Sequence, residues 1–245
     1  MLPNISVSWL TSCWKTSYSK KIAESFWYQR VIASAVLLEL STQLWYQEFN
    51  VWDDKNHYRL REQATKLNQK REFDKSLDTM VDETIGNKLM HWKMIIAETL
   101  TAPLIYGEKL EHVLKIYFDT SLETRSKRAF LSSNLFTINE LMEKVHQKDS
   151  TSQKLIKEIR NIDIFDKKLI YDKHDVVIDD SAFDEIENKA VNEKCKKIVQ
   201  ELLWSIVILH QVEQKVSVID CDYKKALCLY EKHQNLIKKN SLLTP

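Results

Sequence analysis

The stretch FTINELMEKVHQKDSTSQKLIKEIRNIDIF, Phe136 to Phe165, interrupts a helical rhythm with orderly signals. Thr137 is followed three residues later by Glu140, the reciprocal arrangement in which a hydroxyl and a carboxylate each satisfy an orphan amide at a helix start. Ile138, Leu141, Met142 and Val145 then recur at helical spacing. After HQKD, Ser150 and Gln153 read as a second capping box, opening an apolar set of Leu155, Ile156, Ile159 and Ile162. The pattern predicts two short helices joined by a tight turn between His146 and Ser150. Downstream, KLIYDKHDVVID, Lys168 to Asp179, places β-branched and aromatic residues on both sides of a polar DKHD, which predicts strand, turn, strand.

Composition sets the frame. The chain has 245 residues with only two glycines and three prolines, and many-turned β folds need more turn residues than that. Apolar residues make up 44%, enough for a substantial core. The net charge of +1 argues against a protein that coats nucleic acid by bulk charge. Cys13, Cys195, Cys221 and Cys228 lack paired metal-ligand spacing and read as small buried apolar side chains in a reducing cytosol. No leader pattern opens the sequence. The most apolar run, VIASAVLLEL from Val31 to Leu40, is ten residues, against the roughly 20 that a membrane span needs, and reads as a buried helix.

The remaining segments read as helices. Lys21 to Phe49 is heavily apolar, with the pairs Trp27-Tyr28 and Trp45-Tyr46 on one face of a single helix. Asp53 to Thr84 carries a thin apolar stripe. Its basic cluster, Lys66, Lys70 and Arg71, is offset by neighbouring acids and reads as a solvated face. NKLMHWKMIIAETL and EKLEHVLKIYFDT read as further helices, and a long helix after Ser181 buries Leu202, Ile206 and Leu209. The expected fold is mainly α: a helical bundle with one small β-hairpin and C-terminal helices. The expected divisions are residues 1–125, 126–185 and 186–245.

The sequence carries few chemical motifs. Glycines at 86 and 107 alone exclude a glycine-rich phosphate loop. No GxSxG or HExxH occurs, and Glu143 with His146 makes a single Glu-x-x-His where a di-metal bundle needs two. Glu108, Glu111 and His112 make a weak cluster, and His174 fits a turn tip. No catalytic residue, metal, cofactor or small-molecule substrate is expected.

The two capped helices and following hairpin, about residues 130–180, resemble a winged helix-turn-helix domain. His146 and Asp163 stand where that family favours glycine, and both residue types tolerate φ > 0. The resemblance implies that Gln153, Lys154, Lys157 and Arg160 on the second helix, with Lys168 and Lys173 on the wing, contact DNA or a protein partner. From Thr137 to Asp180 eight basic and ten acidic residues give a net charge of −2, which favours docking to protein. The architecture resembles winged-helix accessory subunits of SMC-like ATPases in chromosome organisation or plasmid and phage defence. The expected function is therefore that of a non-catalytic cytoplasmic subunit of a nucleic-acid-associated complex, with a protein partner and DNA as a second contact. The alternatives are a free-standing transcriptional regulator and a small helical enzyme with an unrecognised site.

Overall fold

Asn4–Trp9 (β1) alternates two chemistries: Ile5, Val7 and Trp9 on one face, Asn4, Ser6 and Ser8 on the other, all six buried. A strand buried on both faces belongs inside a parallel sheet. In the computed structural model, which describes residues 3–45, 75–132, 136–183, 188–214 and 218–238, β1 is the central strand. It pairs in parallel with Ile95–Glu98 (β3) on one side and Val113–Phe118 (β4) on the other. Gln29–Ile32 (β2) adds beyond β3 and Val176–Ile178 (β5) beyond β4, giving the order β2-β3-β1-β4-β5.

The helices are Lys15–Phe26 (α1), Ala33–Trp45 (α2), Ser76–His91 (α3), Ala102–Tyr106 (α4), Leu122–Ser132 (α5), Ile138–Arg160 (α6), Lys167–Lys173 (α7), Lys189–Glu213 (α8) and Asp220–His233 (α9). They cover both faces of the sheet. On one, Ile5, Val7, Ile96 and Ile116 meet Tyr18 and Ile22 of α1 and Leu203 and Val207 of α8. On the other, Ile95, Ala97 and Val113 meet Val36, Leu77, Ile85 and Leu89 of α2 and α3. Tyr117 and Val177 meet Leu104, Ile164 and Ile170. The expected burial of Leu202, Ile206 and Leu209 holds, because α8 is packed against α1, α9 and the sheet.

The expected mainly-α class is corrected: the fold is a three-layer α/β arrangement around a five-stranded parallel sheet. Among the described residues there is no winged helix-turn-helix. The Thr137–Glu140 capping box forms, with Glu140 N donating to Thr137 Oγ1 at 3.3 Å and Thr137 N to Glu140 Oε2 at 2.7 Å. The helix it opens then runs without a break from Ile138 to Arg160, straight through His146 and Ser150. Asp149 is buried there, held by tertiary partners rather than by a turn. The supposed wing is a helix, Lys167–Lys173, capped by Asp166, followed by β5 running parallel to β4. Two strands were read into helices: MIIAE holds β3 and VLKIYF is β4. Fully buried strands of four to six residues carry no alternation that separates them from a helical core face.

The scarcity of glycine misled for a local reason. Ser12, Trp27, Met94 and Asn161 take left-handed backbone with φ of 68°, 60°, 58° and 55°. Trp27 ends α1 in this conformation, 88% exposed, so α1 and β2 divide what reads as one apolar helix from Lys21. The pairing of Trp27-Tyr28 with Trp45-Tyr46 therefore fails at its first member, and Tyr46 lies outside the described residues. So do Lys66, Lys70 and Arg71. Among the described residues no helix is long and apolar enough to cross a membrane.

Asn4 fixes the lower end of the sheet. Its Nδ2 donates to Leu89 O (2.8 Å) and Trp92 O (2.7 Å), and its Oδ1 accepts from Ile95 N (3.1 Å). Asn4→Ala strands these buried groups and is expected to lower stability by about 3 kcal/mol. Urea denaturation measures it, and a loss below 1 kcal/mol would show that water replaces the amide.

Candidate functional site

β1 and β3 are neighbours, yet β1 leads to β2 at one edge of the sheet and β3 leads to β4 on the far side of β1. Their carboxyl ends flank the crevice where open α/β sheets place ligands. The loop leaving β1 reads Trp9-Leu10-Thr11-Ser12-Cys13-Trp14-Lys15-Thr16 and enters α1 at Lys15. A strand, five loop residues and a helix opening on Lys-Thr have the spacing of a phosphate loop, G-x-x-x-x-G-K-[ST], with tryptophan at both glycine positions. Ser12 supplies the left-handed turn inside it. A search for glycine passes over this segment; Lys-Thr after a short apolar segment was the signal that could have found it.

The two indoles lie to the side of the loop. Trp9 is buried in the α1–α8 core. Trp14 lies beneath the Arg128 guanidinium, 3.9 Å from its ring centroid, with Lys196 Nζ at 5.1 Å. Arg128 is held by Asp180, Nη1 to Oδ2 at 2.9 Å, and Asp180 also accepts from Thr120 (2.5 Å) and Tyr18 (3.3 Å). Burial, helped by Asp180, pushes the Cys13 thiol up to about 11, so it is a packed thiol rather than a nucleophile.

Lys15 Nζ sits over the Trp9 ring at 4.8 Å and makes no hydrogen bond or ion pair among the described residues. Burial lowers its pKa, and the negative charge of Glu98 opposes the shift. Thr16 Oγ1 is 3.4 Å from Glu98 Oε2 at the end of β3. The other Glu98 oxygen accepts from Arg30 at 2.6 Å and from Ser19. One carboxylate oxygen and one hydroxyl thus face each other beside an unpaired ammonium.

Next to them opens a cavity of about 240 Å³. Lys15 lines it with Asp82 and Thr101, and α6 roofs it with Leu155, Ile156 and Ile159. These three apolar side chains are half-buried; Ile156 also packs against the cluster of Tyr117, Ile164 and Val177. Asp82 Oδ1 accepts from Thr101 Oγ1 at 2.5 Å, and its Oδ2 is 3.5 Å from Arg160 Nε. Burial raises the Asp82 carboxyl from 3.8 to about 6, against the downward pull of Thr101 and Arg160.

Of the six residues expected to contact DNA or a protein partner, Arg160 alone lines this cavity. Gln153 donates to Asp163 at 2.7 Å and Lys157 lies 3.6 Å from the same carboxylate, a local tie at the end of α6. Lys154 and Lys168 are exposed, and the Lys173 stem packs near Gly107. With the winged helix gone, the expectations of a non-catalytic subunit, a nucleic-acid-associated complex and no small-molecule substrate lose their support, and the parallel α/β fold with its switch-point cavity replaces them. Among the described residues no cluster of three or more His, Cys, Asp or Glu side chains is placed to hold a metal ion.

No family model and no curated protein matches the chain. Among solved structures, an uncharacterized protein from Eubacterium ventriosum is similar with a TM-score of 0.50 and 12% identity, over 79% of this chain and 99% of that one. A shikimate kinase from Bacteroides thetaiotaomicron has a TM-score of 0.47 and 14% identity, covering 83% and 99%. A gluconokinase from Sinorhizobium meliloti has a TM-score of 0.41 and 14% identity, covering 96% and 95%. At 0.50 and 12% identity the first likeness extends to the fold.

Asp82 gives a test by pH. Between pH 3.8 and about 6 the folded protein keeps a proton that the unfolded chain releases. This contribution to stability is full below that window and is lost as pH rises through it, by about 3 kcal/mol. Asp82→Asn removes it. Urea denaturation should show wild-type stability falling more than the variant's from pH 4 to pH 7; parallel profiles would mean an ordinary carboxyl.

Proposed function

We propose that this chain is a phosphotransferase that moves a phosphoryl group from a phosphoanhydride donor to a hydroxyl of a small molecule held in the cavity. The observation that carries the proposal is Lys15: an unpaired, partly desolvated ammonium at the start of α1, facing the cavity at the sheet's switch point. Such a group is poised for the oxygens of a transferring phosphoryl group, where charge stabilisation does most of the catalytic work.

Thr16 and Glu98 suit a divalent cation. Both offer oxygen, and Mg²⁺ keeps several waters while taking one or two protein oxygens beside substrate phosphates. When bound, the ion would neutralise charge on the donor phosphates. Arg30 holds Glu98 in place through the oxygen turned away from Thr16. In the transfer, the donor's P–O anhydride bond breaks, a bond forms between phosphorus and the acceptor oxygen, and the acceptor proton passes to Asp82. A carboxylate with a pKa near 6, oriented by Thr101 and Arg160, suits that proton at neutral pH. Leu155, Ile156 and Ile159 offer the acceptor an apolar flank. The free thiols of all four cysteines fit a reducing cytoplasmic setting.

The test is transfer from Mg-ATP to a panel of small polyols, hydroxy acids and sugars, followed by mass spectrometry. Lys15→Met should reduce transfer by about 10²–10³-fold while the fold persists. Activity should also decline as pH falls through about 6, where Asp82 takes up its proton. Absence of transfer and of donor binding across the panel, or full activity in the Lys15 variant, would sink the reading.

A further inference from the structure

Resting on the reading of the β1–α1 loop as an anion site, we infer that Asp149 is an internal competitor for that site, and that it latches α6 shut over the cavity. Asp149 lies in the middle of α6, only 3% exposed. Its Oδ1 accepts from the Thr11 backbone N–H of the loop at 3.0 Å, and its Oδ2 accepts from Arg125 Nη1 at 2.5 Å. Arg125 also donates to Thr11 O (3.0 Å) and Thr120 O (3.1 Å), so the guanidinium is fixed against the loop. A backbone N–H of a phosphate loop and a buried arginine beside it are the groups an oxyanion seeks. Here a side-chain carboxylate already has both.

Eleven residues, about three turns, separate Asp149 from Arg160 on the same helix. Arg160 clasps Asp82, and between the two clasps α6 turns Leu155, Ile156 and Ile159 into the cavity. Two carboxylate-type charges cannot share Thr11 N–H and Arg125 without strong repulsion. A ligand oxyanion arriving at the loop therefore replaces Asp149. The displaced carboxylate, buried and without its partners, has to reach water. Asp149 sits mid-helix, so it reaches water by movement of the helix, and loop occupancy opens the roof of the cavity.

Tripolyphosphate is the probe, titrated by calorimetry into the wild-type protein and Asp149→Asn, each checked for an intact thermal transition. The variant should bind at least tenfold tighter, because the competing charge is gone. Where the variant fails to fold, hydrogen exchange on the wild type decides. Amides from Val145 to Arg160 should exchange faster in saturating tripolyphosphate. Equal or weaker binding by a folded variant, or unchanged exchange in the wild type, overturns the latch and leaves the loop as an anion site. Binding to neither protein overturns the latch together with the phosphate-loop reading beneath it.

Discussion

The pairing of Arg128 with Asp180 ties the molecule together. Both side chains are essentially sealed from water, at 1% and 0% exposure. Asp180 follows β5, Thr120 follows β4, Tyr18 belongs to α1 and Arg128 to α5, so one carboxylate joins elements from both halves of the chain. Removing one partner of such a pair costs about 3–5 kcal/mol, because the other charge stays buried and uncompensated. The guanidinium also stacks over the Trp14 ring. The loop's course between β1 and α1 therefore depends on a charge pair beyond the β5 edge of the sheet.

That dependence explains how the tight loop between β1 and α1 can stand without glycine. Glycine in such a loop permits left-handed backbone and close approach to a ligand. Here Ser12 takes the left-handed position, and the two indoles are drawn into neighbouring packing, Trp9 into the core and Trp14 onto Arg128. The Lys15 and Thr16 side chains keep their places at the helix start.

Much of what was legible in the sequence was local, and what was lost was mostly non-local. The capping box at Thr137 and Glu140 is a contact between residues three apart, and it forms as read. The burial around Leu202–Leu209 follows from unbroken hydropathy, and it too holds. The Ser150 box had the same local grammar but lost to tertiary partners, since Asp149 is engaged by Arg125 and Thr11 from elsewhere in the chain. The strands failed for a related reason. IIAE and VVI are too short to show a period, and only their parallel neighbours make them strands. Arg160, expected to contact DNA or a protein partner, instead meets Asp82, 78 positions earlier, which no spacing rule reveals. Glu98 and Lys15 come together because β1 and β3 are adjacent, a fact of topology alone.

The four left-handed residues carry a consequence for the unfolded ensemble. Ser12, Trp27, Met94 and Asn161 each bear a side chain where glycine would relax the backbone, at roughly 1–2 kcal/mol of local strain apiece. Glycine, however, enlarges the conformational freedom of the unfolded chain, and each replacement in the other direction narrows it by about 0.4–1 kcal/mol. With only two glycines in 245 residues, this polypeptide has an unusually restricted denatured state. Part of the native strain is thereby offset outside the native structure, in a population that no contact in the folded molecule records.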